Sequence, residues 1–295
     1  MNVPPNVDIS ICSFSFHRLL AAGKQDIFQY IHDCKSLGCT QLDPWNAHLS
    51  QLESGSEVLH AGKNPGESHH LTAADDVYLE RVKAEADKVG LPFGCIAVDG
   101  AHIYEEQEDA RRTNREKAYR WIGVAAKLGA KQIRIDAGGP AVLTDEVLAV
   151  IADGYRDLVA RAEAVGVEVL MENHWGPSRN PDQVVRIMEA VPRLGLLFDS
   201  YNWEPGKQAE GWMKCAKYAR LSHIKTFVFN DEGEELTQNI ASFCRLLLKI
   251  NYTGSWGVES VPRDGDEFAA ARRTVELITR SIRSAAPSRV GGGIQ

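Results

Sequence analysis

Short apolar, β-branched runs recur along the chain, near Val7–Phe14, Thr40–Trp45, Phe93–Val98 and Gln132–Ala137. Four more lie near Val167–His174, Leu194–Tyr201, Leu221–Phe229 and Gly254–Glu259. Longer stretches of helical period separate them, about 24–37, 75–89, 107–128, 144–165, 180–190, 207–219, 237–249 and 266–284. The alternation predicts eight strand–helix units, and eight parallel strands is the number that closes a (β/α)8 TIM barrel. Punctuation supports the boundaries. Thr144 precedes Asp145 and Glu146 as a capping hydroxyl before first-turn acids. Asn180-Pro181-Asp182 opens another helix with proline at its first position. Gly38, Gly90, Gly129 and Gly166 each end a helix just before a strand, where a left-handed glycine belongs.

No linker divides the chain, so residues 1–286 are read as one α/β barrel and 287–295, with Gly291-Gly292-Gly293, as a flexible tail. A doubly wound sheet is the competing reading. It usually carries a glycine-rich first turn, and neither GxGxxG nor a P-loop motif occurs. The polar stretch from Asn46 to Thr72, which holds His69-His70, reads as a long loop at the catalytic face.

Composition narrows the function classes. The 295 residues carry a formal net charge of -7 with no Lys/Arg-rich block, which disfavours nucleic acid as partner. No apolar run is long enough to span a membrane. The start, Met1 to Asp8, has neither a basic region nor an apolar run of the signal-peptide kind. The six cysteines form no CxxC pair, and reduced, buried thiols in a cytoplasmic protein are expected.

The chemistry gathers at the ends of four consecutive predicted strands. These read Leu-Met-Glu172-Asn-His174, Leu-Phe-Asp199-Ser-Tyr, Leu-Ser-His223-Ile-Lys225 and Gly-Val-Glu259-Ser. In a barrel, reacting groups come from such ends. One carboxylate there is usually a cap or a solvated group. Three carboxylates and an imidazole sharing one pocket would repel unless a cation joined them, and this donor set suits Mn, Mg, Fe, Co or Zn. Glu172, Asp199, His223 and Glu259 are therefore the candidate metal ligands.

Strand alternation puts His174 on the face of Glu172 and Lys225 on the face of His223. Both are candidate catalytic groups. His174 would act as acid or base, or sit behind the ligands. Lys225 would stabilise a developing oxyanion, or pair with Asp199 or Glu259. Arg134 would bind substrate oxygens or neutralise Glu172. Asp43, Trp45, His17 and His102 follow other strands and are candidate substrate contacts. Trp175 and Trp203 also follow strand ends, where aromatic faces suit sugar rings.

These segments, together with Arg134-Ile-Asp-Ala-Gly, resemble the xylose isomerase-like TIM-barrel superfamily of sugar phosphate isomerases and epimerases, over roughly residues 7–284. The superfamily includes tagatose epimerase, inosose dehydratase and endonuclease IV relatives. The resemblance implies that Glu172, Asp199, His223 and Glu259 hold one divalent ion, Mn2+ before Mg2+, Co2+ or Zn2+. It implies enediolate chemistry beside a carbonyl of a small-molecule sugar, keto-sugar or cyclitol, with Glu172 and Glu259 as base and acid. Isomerase or epimerase is the first expectation. A lyase using the same enolate is the second, and a sugar-binding barrel or a nuclease are remote ones. Family members are often dimers or tetramers, so a homo-oligomer is expected. The chain departs from the ketose 3-epimerases at Asn202, which stands where they carry a substrate-contacting His and is itself a candidate substrate contact, and at Ser178, where they carry a Glu.

Overall fold

The computed structural model describes residues 7–49 and 70–285. Most of the expected loop at 46–72, His69 and the tail at 287–295 lie outside the described residues. The strands are β1 (Ile9–Ile11), β2 (Cys95–Val98), β3 (Gln132–Ile135), β4 (Glu168–Glu172), β5 (Gly195–Asp199), β6 (Ala219–Thr226) and β7 (Ser255–Ser260). The helices are α1 (His17–Ala21), α2 (Ile27–Ser36), α3 (Ala73–Val89), α4 (Glu108–Leu128) and α5 (Asp145–Glu163), then α6 (Pro181–Ala190), α7 (Gln208–Cys215), α8 (Ile240–Lys249) and α9 (Glu267–Ala285). All strand pairs are parallel, in the order β1-β7-β6-β5-β4-β3-β2. Every residue of β5 and of β7 is buried, as expected for parallel strands covered on both faces.

Seven regular strands are present among the described residues, where eight were expected. The missing one is the 40–45 segment, which lies between β1 and β2 and makes isolated parallel bridges to both: Cys12 with Asp43, Leu42 with Phe93, Trp45 with Ala97. Backbone bonds there, such as Leu42 N–H to Pro92 O (2.9 Å) and Ala97 N–H to Pro44 O (2.9 Å), alternate with side-chain ones. The Asp43 amide donates to Tyr30 Oη (2.9 Å), the Trp45 amide to Ser13 Oγ (2.8 Å), and the Cys95 amide to Asp43 Oδ1 (2.9 Å). Pro44 has no N–H to contribute.

The helix boundaries follow local chemistry. Thr144 Oγ1 accepts from the Val147 amide, and Asn180 Oδ1 accepts from Asp182 and Gln183 ahead of Pro181. Gly38, Gly90, Gly129 and Gly166 all have left-handed φ, between 70° and 83°. The predicted helix at 207–219 ends early, at Cys215; a short 3-10 turn follows and β6 already begins at Ala219.

The main core fills the space between strands and helices. A smaller cluster of Cys95, Leu170, Leu197 and Leu221 lies on the other face of the sheet. Leu170, Leu197 and Leu221 stand two residues before Glu172, Asp199 and His223. They share a face with them and form an apolar floor beneath the candidate ligands. Gly257 completes that floor. It pairs in register with His223, and a Cβ there would meet Ser222 O at 2.4 Å and the His223 ring at 3.1 Å. No helix among the described residues is long and apolar enough to cross a membrane.

Candidate metal centre

Glu172 ends β4, Asp199 ends β5, His223 lies in β6 and Glu259 in β7. Register pairs Asp199 with His223 and Lys225 with Glu259, which brings these neighbouring strand ends together. One donor atom from each of Glu172, Asp199, His223 and Glu259 lies within 4.8 Å of the others, and all four residues are buried. His223 Nδ1 stands 3.5 Å from Glu172 Oε1 and 3.3 Å from Glu259 Oε2.

Hydrogen bonds hold the outer atoms, while the inner ones meet only ion-pair partners. Asp199 Oδ1 accepts from the Tyr201 amide (2.6 Å) and the Asn202 amide (2.8 Å). Asp199 Oδ2, His223 Nδ1 and Glu259 Oε2 are buried without a hydrogen-bond partner. Buried polar atoms are nearly always satisfied, and three orphans converging from three strands point to a partner of a different kind. Two carboxylate oxygens and an imidazole nitrogen fit a divalent cation. The charges agree. Asp99, Asp136, Glu172, Asp199 and Glu259 face two permanent cations, Arg134 and Lys225.

The titrating groups carry the strain of that arrangement. Burial, then the charges of Glu259 and Glu172 against the pull of Lys225, raise Asp199 to about 7. Burial also works to raise Glu259 and Glu172, but neighbouring cations win. Lys225 and His223 hold Glu259 well below the usual carboxylate range, and His174, Arg134 and His223 lower Glu172. Burial works to lower His223, yet Cys12, Glu172 and Glu259 hold it well above an ordinary imidazole. The buried Cys12 thiol, itself pushed up by burial, is the neighbour that raises that ring most. A metal ligand's outer partner is more often a carboxylate or a carbonyl.

The remaining predicted residues divide into two groups. Lys225, Asn202, Arg134 and His174 meet the centre. Lys225 Nζ lies 3.1 Å from Glu259 Oε2 and 3.5 Å from Asp199 Oδ2, and donates to Asn202 Oδ1 at 2.8 Å. Asn202 Nδ2 donates to Glu172 Oε1 at 3.3 Å. Arg134 Nε contacts Glu172 Oε2 at 3.1 Å, while its Nη1 bonds Asp99 and Asp136. His174, with 24% of its side chain exposed, places Nδ1 3.2 Å from Asp136 Oδ2 and 3.8 Å from Glu172 Oε2.

The other group is occupied elsewhere. Asp43 is 2% exposed and accepts from Ser10 Oγ, Gln41 Nε2 and the Cys95 amide. Trp45 is buried with its indole N–H on Asp99. His17 stacks on Phe14, its Nδ1 against Phe14 O (2.8 Å) and Glu267 Oε1 (3.1 Å). His102 Nε2 pairs with Glu105 at 2.5 Å, on a separate cleft. Ser178 is buried, and its Oγ accepts from the His174 amide, shaping the turn after β4. Trp203 is buried, with its ring over Gly211.

Asp136, two residues beyond Arg134, was missed as a site residue. The alternation rule that selected His174 and Lys225 selects it too. With Glu172 and His174 it forms a second group of closely spaced donors. All six cysteines are free and buried, as expected.

Comparison with known proteins follows the same lines. The solved structure of an L-ribulose 3-epimerase superposes with a TM-score of 0.72 at 14% identity, covering 95% of each chain. A 3-keto-D-glucoside 4-epimerase from E. coli gives 0.67 at 17% identity, covering 94% of this chain and 99% of that one. A xylose isomerase-like TIM barrel protein from Mycobacterium smegmatis, in complex with magnesium, gives 0.68 at 18%, covering 97% and 99%. At these identities the likeness is one of fold. No curated protein matches the sequence. Residues 31–281 match the family model described as xylose isomerase-like TIM barrel, and the chain belongs to that family.

Proposed function

We propose that the chain is a divalent-metal-dependent isomerase or epimerase of sugars or keto-sugars, working through an enediolate of the substrate. The observation that carries this reading is the convergence of Asp199 Oδ2, His223 Nδ1 and Glu259 Oε2, buried and without hydrogen bonds, beside Glu172. The family and its epimerase neighbours support it. In this reading residues 40–45 stand as the eighth stave of the barrel, supported by their bridges to β1 and β2.

Glu172, Asp199, His223 and Glu259 would hold the ion, with Mn2+ the first choice for this set of oxygen donors and one imidazole. When bound, it supplies Lewis acidity to a carbonyl and its neighbouring hydroxyl, which acidifies the adjacent C–H. Glu172 and Glu259 come from strands separated by β5 and β6, so they flank the reacting carbon. One removes the C–H proton and the other returns one. Return to the opposite face epimerises; return to the neighbouring carbon isomerises. Lys225, steadied by Asn202, aims its ammonium at the developing oxyanion. Arg134 keeps Glu172 ionised and oriented.

A lyase on the same enolate is the second reading, favoured by His174. Its ring is part-exposed, and Glu172 and Asp136 outweigh burial to raise its pKa, which suits protonation of a leaving group.

The test is metal analysis of the purified protein, then incubation with a panel of keto-sugars in deuterated water. One equivalent of divalent metal and deuterium on the carbon beside the carbonyl are expected, and product identity separates isomerase from lyase. Protein that takes up no metal, or that exchanges no proton with any of the panel, overturns the reading.

A further inference from the structure

Trp175 follows β4 and Tyr201 follows β5, and these two aromatic rings remain 60% and 44% exposed. With His174, Gly176, Arg179, Asn202 and Trp203 they line a cleft of about 460 Å³. His174 and Asn202 line the cleft and also face Glu172, so the cleft borders the candidate metal centre. Its volume lies in the range of small-molecule sites.

The platform is held in place. Trp175 packs edge-on against His174, with ring centres 5.2 Å apart, and Tyr201 packs against Phe227 at 4.7 Å. The turn after Trp175 is pinned by Gly176, at φ 53°, where a Cβ would meet Gly139 O at 2.4 Å. Among the described residues no carboxylate lines the cleft, and Arg179 is exposed there with no ion pair. The two neighbouring regions therefore differ in kind. The centre is built from carboxylates for a polyhydroxy carbonyl group. The cleft offers aromatic faces and a guanidinium, which suit the apolar face of a pyranose ring and its rim of oxygens.

We infer that the substrate is a glycosylated keto-sugar, whose keto unit lies at the metal centre while a second ring stacks on Trp175 and Tyr201 within reach of Arg179. This rests on the proposed carbonyl chemistry at the centre and adds the substrate class. Trp175 and Tyr201 would be specificity-determining residues, since contacts remote from the reacting carbon can be spent on positioning it.

The test is isothermal titration of the full-length, Mn2+-loaded protein with D-fructose and with two keto-disaccharides, isomaltulose and lactulose. A disaccharide is expected to bind about tenfold more tightly than fructose, the scale of one stacked ring. Trp175→Ala is expected to bring the disaccharide to within about twofold of fructose by removing that scale of contact. Arg179→Met, a surface change, repeats the test should Trp175→Ala fail to fold, and is expected to lower disaccharide affinity selectively. Equal affinity for fructose and both disaccharides overturns the inference. So does a Trp175→Ala variant that changes oligomeric state on size exclusion while keeping the preference, because the cleft is then a contact between copies. Deuterium exchange separates the two levels. Exchange from keto-monosaccharides without any preference for a second ring sinks the cleft and keeps the centre. Tight disaccharide binding with no exchange from any keto-sugar does the reverse.

Discussion

Asp43 and Asp199 are both buried aspartates in the 40–45 segment and at the end of β5, on opposite arcs of the sheet, yet their surroundings differ completely. Asp43 is saturated by Ser10, Gln41 and the Cys95 amide. Asp199 has one oxygen saturated by backbone amides and the other without a hydrogen bond, 3.5 Å from Lys225 Nζ and among His223, Glu172 and Glu259. The first arc uses its carboxylate as a substitute for missing ladder bonds. The second keeps part of its hydrogen-bonding capacity unspent, which costs folding free energy unless a ligand arrives. Position at a strand end is therefore insufficient to identify a functional carboxylate; the decisive property is what remains unsatisfied.

The strongest challenge to this contrast is the glutamate pair. With metal saturating, Glu172→Gln and Glu259→Gln are each expected to lower turnover by about 10²–10⁴, the range for a positioned acid or base. The variant on the face where the substrate proton leaves should abolish deuterium exchange; the other should permit exchange and block product. Near-native rates in both would leave this arc without a base among its ligands, and His174 or Lys225 would take that role.

His223→Ala should weaken Mn2+ binding by more than the roughly 100-fold typical of a ligand's outer partners. Calorimetric metal titration checks it. Lys225→Met should keep the metal and lose about 10² in turnover, as for one oxyanion-stabilising group. If it instead loses metal or fails to fold, Lys225 serves only to balance charge.

Asp43→Asn sharpens the comparison from the other side. It should cost about 2 kcal/mol of stability, because a buried charged acceptor loses part of its donor set. Metal affinity should stay within a few-fold, since Asp43 is not among the clustered donors. Urea unfolding and metal titration read the two effects separately, and a folded variant stripped of metal would erase the distinction between the arcs.

The smallest effect is pH dependence. Asp199, with burial first and then Glu259 and Glu172 raising it, has a folded value near 7 against an ordinary 3.8. In the metal-free protein its contribution is therefore complete below about 4 and is lost as pH rises through about 7. Metal must displace that proton and the one His223 retains, so affinity should rise about tenfold per pH unit for each proton released. The gap in Tm between loaded and metal-free protein should widen from pH 5.5 to 8 in a thermal scan. A constant gap would mean that Asp199 and His223 have both already lost their protons.

The sequence by itself determined the α/β succession, the helix caps at Thr144 and Asn180, the four glycine turns and the four candidate ligands on consecutive strand ends. Each depends on residues within a turn or two, through a cap, a left-handed glycine or the two-residue repeat of a strand. That repeat also brought Lys225 and His174 to the centre, and it would have brought Asp136. Only the tertiary structure decided that Asp43 is consumed by Ser10 and Cys95, that side chains supply part of the ladder at 40–45, and that Cys12 lies beside His223. It also decided that Trp175 stands in solvent while Trp45 and Trp203 are packed. These outcomes depend on partners tens to hundreds of residues away, such as Ser10 for Asp43, Asp99 for Trp45 and Cys12 for His223. A hydrogen bond is satisfied or left open by what folding brings next to it, and no local pattern carries that information.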